Sequence, residues 1–538
     1  MSKHSSLNFL WISLEDTSPR FGCYGDSIAR TPNIDRLAEG GCRFPNAFST
    51  AGVCAPSRSA IITGMYQTSI GTHHMRTTHT NEHTPELPTP YSAVLPHYVK
   101  PFTQYLRAAG YFCTNNQKTD YQFTPPITAW DQLGDHGHWR NRDREDQPFF
   151  AVFNPTVTHE SGMWPRDDRG PLETDPDDVE LPPYLPDTPK AREALARHYD
   201  NLAIADAKVG ELLDELEEDG LADNTVVILW SDHGEGLPRG KRWPYDAGIR
   251  IPLIVRWPGQ LNPGSITEQM VSLVDLGPTL LSLAGLDLPV HMQGQPFLGP
   301  NKVEREYIFA FRDRHDEMYD MVRAVRDERY KYIRHYYPEK PYLMWIPYRN
   351  NHPILREMWR LHMADQLEGP QTAMFQHPRP PEELYDTEND PYELNNLAQD
   401  PAQETTLNRM RQAFIDWRNT HGDMGEIPED QMIAGWYPNG VQPQTAAPIF
   451  VPYATDVPGM DAAPDGGTFK GPMLVELHCA TQGASITYTT DAGGDVRWRL
   501  YTRPLKLEMG TTTIRTKAIR IGYLESDEKQ ADFTVETG

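Results

Sequence analysis

Short apolar runs of strand length recur through the first half of the chain, and each stops at a cluster of polar side chains. Leu7-Asn8-Phe9-Leu10-Trp11-Ile12-Ser13-Leu14 ends in Glu15-Asp16, and Tyr111-Phe112-Cys113-Thr114 runs into the polar stretch Asn115 to Tyr121. Phe149-Phe150-Ala151-Val152-Phe153-Asn154 leads to His159, Thr225 to Trp230 ends in Ser231-Asp232-His233-Gly234, and Ile251 to Trp257 is a further run. Runs this continuous suit strands buried on both faces. Between them the period becomes helical: Phe102 to Gly110, Ser272 to Gly285, and Ala191 to Glu218 with Leu195, Leu202, Val209, Leu212 and Leu216 on one stripe. Thr31-Pro32 opens another helix, capped at Thr31. Strands alternating with helices predict an α/β fold whose ligands gather at the carboxyl ends of its strands.

The pattern changes twice further on. From Glu306 to about Gly422 the chain is rich in Tyr, Arg and Trp, and Tyr330 to Arg334 reads as an antiparallel strand. Residues 424–465, with Pro, Gly and no periodicity, predict a linker on the surface. Beyond it, Leu474 to Cys479, Ala484 to Asp491 and Thr512 to Ala518 alternate as half-buried strands. The divisions expected are therefore 1–305, 306–423, 424–465 and 466–538.

One stretch carries reactive chemistry: Gly52-Val53-Cys54-Ala55-Pro56-Ser57-Arg58, continuing to Thr63-Gly64. Pro suits the first turn of a helix, so Cys54 falls at a helix N-terminus, where free N–H groups favour an anion. Arg58, one turn on, can direct its guanidinium to the same point. A thiol, an anion-binding turn and a fixed cation point to chemistry on an oxyanion.

This C-x-P-S-R stretch with its following Thr-Gly resembles the signature of the type I sulfatases, and the resemblance extends over nearly the whole chain. It implies an alkaline phosphatase-like fold: a large mixed, mostly parallel sheet flanked by helices, with a small antiparallel-sheet C-terminal subdomain. It implies that Cys54 is oxidised to formylglycine by a formylglycine-generating enzyme and that the hydrated aldehyde is the nucleophile. It implies calcium, held by Glu15, Asp16, Asp232, His233 and the modified side chain at position 54. Glu15 departs from the family's Asp-Asp pair, and its extra methylene must be absorbed locally. Arg58, Lys118 and Lys241 correspond to the cations that hold the sulfate, with Arg239 and Arg242 as alternatives to Lys241. His159 corresponds to the histidine that protonates the leaving oxygen. Asp120 stands where the family has a His beside the nucleophile. His73, His74 and Arg76, on a polar loop one helix away, are candidate substrate contacts. Residues 466–538 resemble the β-sandwich appended to chitobiases and hexosaminidases, marked by Tyr488-Thr489-Thr490-Asp491 and Tyr501.

Composition narrows the partners. A chain of 538 residues exceeds one hydrophobic core, and 38% hydrophobic with 23% charged residues is a globular composition. A net charge of −25 excludes a nucleic-acid partner and obliges the protein to concentrate its cations in one pocket. The 5 cysteines show no paired spacing and no zinc pattern. No run approaches a membrane span, and the polar start Met1 to Ser6 lacks an apolar leader core. The chain as written reads as cytoplasmic, or as periplasmic or secreted if a leader has been removed.

The expected activity is hydrolysis of a sulfate ester on a small molecule or oligosaccharide, with a sulfated carbohydrate foremost. The alternatives are a phosphonate or phosphodiester hydrolase, an N-sulfate sulfamidase, or a binder of sulfated glycans whose Cys54 is never oxidised. Arg140, Arg142 and Arg144 read as a solvated charge run.

Overall fold

The first apolar run forms the strand Asn8–Leu14, buried along its whole length. In this computed structural model, which describes residues 6–166, 170–455, 457–493 and 496–538, it lies parallel to Thr225–Ser231 with Leu14 opposite Ser231. Parallel pairing in that register makes Glu15-Asp16 and Asp232-His233 leave the sheet at one edge. Beyond Thr225–Ser231 come Leu253–Arg256, Cys42–Arg43 and Ser265–Ile266; beyond Asn8–Leu14 comes Phe149–Phe153. Leu253–Arg256 is antiparallel to its neighbours, so the sheet is mixed and mostly parallel. Those parts of the polar start and the expected linker that fall on residues 1–5 and 456 lie outside the described residues.

The chain divides into two compact units, Met1–Thr89 with Val152–Glu426, and Pro90–Ala151 with Ile427–Gly538. In the first, the 30-residue helix Pro189–Glu218 is capped by Thr188, whose hydroxyl accepts from the Ala191 N–H at 3.3 Å. Asp206 on this helix accepts the N–H groups of Asn33 at 3.0 Å and Ile34 at 2.8 Å. It thereby caps the helix Pro32–Glu39 from a distance. Thr31 occupies the cap position but makes no cap bond, and accepts instead from the Gly22 N–H at 3.0 Å.

The helix Cys54–Thr63 is buried on every side. Gly52 ahead of it is needed for close approach: a Cβ there would sit 2.5 Å from the Trp243 carbonyl oxygen. The Arg242 N–H donates to the Gly52 carbonyl at 2.5 Å, which joins the 241–243 segment to the turn before Cys54. The antiparallel strands Ile308–Arg312, Val322–Arg326, Tyr330–His335 and Glu382–Asp386 form a separate sheet. Helix Glu404–His421 packs Leu407, Met410, Phe414 and Trp417 against Tyr66, Phe309 and Phe311.

In the second unit, Phe112–Asn116 runs parallel to Gln132–Leu133. A four-stranded sheet and a five-stranded sheet enclose Phe450, Val475, Leu477, Ile514, Phe533 and Val535. Where the pattern predicts a linker, the chain forms helix Glu429–Trp436 and strand Ile449–Ala454, the latter paired with Met473–His478. That helix buries only Glu429 and Met432, too few positions to show a period. Within the same unit the Tyr91 hydroxyl donates to Glu429 at 2.6 Å, Gln104 to Ser485 at 2.8 Å, and Arg107 to the Trp498 carbonyl at 2.9 Å. Among the described residues no helix is long and apolar enough to cross a membrane.

Candidate active site

Asp16, Cys54, Asp232 and His233 are buried together, with one potential ligand atom from each lying within 4.8 Å of the others. The strand register delivers three of them, and the helix N-terminus delivers Cys54. Cys54 Sγ is 3.3 Å from His233 Nε2 and 3.9 Å from Asp16 Oδ1. His233 Nε2 lies 2.9 Å from Asp16 Oδ1 and 3.7 Å from Asp232 Oδ1. Its other nitrogen, Nδ1, donates to the Gly234 carbonyl at 3.0 Å, which aims Nε2 into the group. Asp16 holds a left-handed backbone, φ +49°, a conformation that non-glycine residues adopt only when their surroundings enforce it.

The electrostatics follow from that crowding. Burial would raise the Asp16 carboxyl, but Lys241, His159 and His233 hold it well below the usual carboxylate range. Burial would lower the His233 imidazole, but Asp232, Asp16 and Cys54 outweigh it and hold it up at about 10. Two buried carboxylates, an oriented imidazole and a side chain able to become an oxygen donor fit a divalent cation. Glu15 is outside the group: its Oε1 lies 3.7 Å from Arg58 Nη2.

Arg58 is engaged on all sides. It donates to Asp232 at 2.9 Å, Asn154 at 2.9 Å and Ser13 at 3.2 Å. It therefore holds Asp232 in place, with its donors already engaged inside the protein. Lys241 does face the cluster, with Nζ 2.7 Å from Asp16 Oδ2, 3.1 Å from His159 Nε2 and 3.4 Å from Glu160 Oε1. Its two flanking arginines are committed elsewhere. Arg239 donates to the Tyr392 and Glu393 carbonyls and stacks 3.8 Å over Tyr245, and Arg242 makes a double ion pair with Glu160 at 2.9 and 2.6 Å.

An ammonium can only donate, so His159 Nε2 accepts from Lys241, while Nδ1 lies 2.9 Å from Ser161 Oγ and 3.3 Å from the Ser161 backbone nitrogen. Burial and the Lys241 charge both pull the His159 imidazole below its ordinary value. The proton shared at the Lys241–His159 contact thus rests on Lys241.

His73 and His74 are buried with their rings 4.2 Å apart, and His74 Nδ1 accepts from the Arg314 N–H at 3.3 Å. They tie their loop to the 313–316 segment. Arg76 is partly open, pairs with Asp316 at 2.7 Å and borders a cavity. Lys118 and Asp120 belong to the second unit, where they follow Phe112–Asn116 and approach each other at 3.6 Å. Arg144 there pairs with Asp146, both exposed, as a solvated charge run does. Sequence reasoning did not assign roles to Ser13, Asn154, Glu160 and Ser161. Of these only Asn154 carried a signal, its place at the carboxyl end of a buried strand.

The buried histidines away from the cluster predict a pH response. Burial leads the causes that push His198 and His352 down to about 4 and His74 and His315 well below their ordinary value. In the unfolded chain each regains a value near 6.5. Their neutral burial stabilises the fold fully above about pH 6.5, and that contribution is lost as pH falls towards 4, because the unfolded state then binds more protons. The melting temperature in chelator is expected to fall steadily from pH 7 to 5, with proton uptake on unfolding in calorimetry. A flat profile across that window would contradict the assignment.

Comparison with known proteins follows the same residues. The sulfatase family model matches residues 7–286, that of the N-sulphoglucosamine sulphohydrolase C-terminal region 234–367, and that of the chitobiase/beta-hexosaminidase C-terminal domain 464–529. An ulvan-active sulfatase of Formosa agariphila is 39% identical, covering 96% of this chain and 90% of that protein. Human N-sulphoglucosamine sulphohydrolase is 28% identical over 77% of this chain and 90% of its own. Among solved structures, a 2-O GAG sulfatase gives a TM-score of 0.57 at 20% identity, covering 78% of this chain and 93% of that one. A phosphonate monoester hydrolase from Silicibacter pomeroyi gives 0.55 at 19%, covering 78% and 96%. At such identity these structures share the fold and nothing finer.

Proposed function

Because this chain belongs to the sulfatase family and is a sulfuric ester hydrolase of alkaline phosphatase-like fold, we propose that it removes sulfate from a sulfated carbohydrate using a formylglycine made from Cys54. The observation that carries this reading is the buried Asp16, Cys54, Asp232 and His233 group with Lys241 against it. Calcium is the ion assigned to that group, since two carboxylates and the oxygens of an aldehyde hydrate make a hard donor set; once bound it supplies charge that favours an ionised oxygen at position 54. Formylglycine, formed by a transiently bound formylglycine-generating enzyme, supplies two hydroxyls on one carbon, one to take up sulfur and one through which the aldehyde reopens.

The chain's own residues do the rest. Arg58 holds Asp232, and Asp16 is held by Lys241 and by the Glu160 N–H at 2.6 Å. Lys241 turns from Asp16 to a sulfate oxygen, where charge builds in the transition state. The anion brought into the pocket raises the affinity of His159 for a proton, and His159 is the group that hands a proton to the departing sugar oxygen while Lys241 stays charged. Lys118 is retained as the second sulfate cation, with Asp120 as its neighbour.

The test has two parts. The mass of the peptide spanning Cys54 is expected to fall by the difference between –CH2SH and –CHO. The converted protein is expected to release sulfate from sulfated oligosaccharides much faster than it cleaves an aryl phosphonate monoester. An unmodified thiol with no sulfate release, or a preference for the phosphonate, would overturn the reading. A second reading, cleavage of N-sulfate, draws on the family match over 234–367 that includes Lys241. Rates on N-sulfated and O-sulfated glucosamine separate the two.

A further inference from the structure

We propose that a cavity of about 330 Å³ walled by Arg76, Tyr348, Asp316 and Asn351 is a subsite for a carboxylate-bearing sugar adjoining the sulfated one. This rests on the sulfate-ester reading above. The cavity adjoins the reaction centre across one side chain: the Tyr348 ring lies 6.4 Å from His159 and 4.7 Å from Trp164, centroid to centroid. A sugar attached to the leaving oxygen beside His159 meets Tyr348 next.

Arg76 is fixed there as a receptor. Its guanidinium lies 4.1 Å over the Tyr348 ring, and Nε pairs with Asp316 Oδ1 at 2.7 Å. The backbone at Arg76 holds φ +57°, a costly conformation that these contacts maintain. Among the described residues the two Nη groups of Arg76 make no hydrogen bond, and its side chain is 32% exposed and lines the cavity. A guanidinium pinned at Nε with its Nη edge open matches the two oxygens of a carboxylate.

Charge behind the wall acts in the same direction. Arg349, one residue past Tyr348, is buried and donates Nη2 to the Met344 carbonyl, while Nε and Nη1 are buried without a partner among the described residues. Glu82 and Glu317 also line the cavity, Glu317 already accepting from Asn81 at 3.1 Å, and offer acceptors for sugar hydroxyls. The arginine fork and the aromatic face are the parts that meet a uronate's carboxylate and ring, while Glu82 and Glu317 can accept only from its hydroxyls.

The experiment uses two oligosaccharide sulfates that differ only in whether the neighbouring uronate is intact or reduced to the primary alcohol. Wild type is expected to favour the acidic substrate in kcat/KM by roughly ten- to a hundred-fold, mainly through KM, the scale of a charge-assisted fork. Arg76→Ala is expected to bring that ratio towards one, and Arg76→Lys to restore it in part, with melting curves showing both variants folded. Equal handling of the two substrates by wild type, or a proportional loss on both in Arg76→Ala, would overturn the subsite while leaving sulfate hydrolysis standing. No hydrolysis of either substrate by wild type would bring down the sulfate-ester reading, and the subsite with it.

Discussion

Replacing Cys54 with Ser is expected to end turnover, with kcat lower by about three orders of magnitude or more, as when a covalent nucleophile is lost. Cys54 is 1% exposed at the start of the helix Cys54–Thr63, 3.3 Å from His233 Nε2. Serine fits that space and still offers an oxygen. Its carbon bears one hydroxyl only. Attack on sulfur forms the Oγ–S bond, breaks the bond from sulfur to the sugar oxygen and hands a proton to that oxygen. No second hydroxyl then remains to expel the sulfate. The variant should release one equivalent of alcohol and gain the mass of one SO3 group. Wild-type multiple turnover by Cys54→Ser would refute the covalent route.

Asp16→Asn carries the second large effect because Asp16 serves two neighbours at once. Its Oδ1 faces His233 and Cys54, while Oδ2 accepts from Lys241 at 2.7 Å and from the Glu160 N–H at 2.6 Å. Asparagine removes a ligand charge and leaves the Lys241 ammonium buried beside Glu160 alone. Breaking a buried pair in this way costs about 3–5 kcal/mol. Two measurements follow. Calcium should raise the melting temperature of wild type, by the stabilisation any ligand specific to the native state confers, and EDTA should remove that rise. Asp16→Asn should melt lower and respond to neither reagent, with sulfate release lost. A calcium shift of wild-type size in Asp16→Asn would rule Asp16 out as a ligand.

Much of the site could be read from the chain because its residues stand at the carboxyl ends of strands whose buried character is plain. Cys54, Asp232, His233 and Lys241 meet where the motif and the strand ends imply. Glu15 lies outside that group, its carboxylate 3.7 Å from Arg58. Arg58 also differs from the expected sulfate clamp, because Ser13, Asn154 and Asp232 all converge on it. Residues 82 positions apart, Arg242 and Glu160, form a buried pair that no local pattern announces. The cap of the helix Pro32–Glu39 is hidden for the same reason, supplied by Asp206 rather than by Thr31. Periodicity reports how a segment meets its neighbours on average; it is silent on which distant side chain arrives.

The grouping of Pro90–Ala151 with Ile427–Gly538 bears on how the protein can be cut. Ending the chain at residue 426, as for a detachable module, would strip Tyr91 and Val94 of Tyr437 and take Ser485 from Gln104. The Lys118 loop lies in that same stretch, so shortening the gene would unsettle the core of this unit along with its tail.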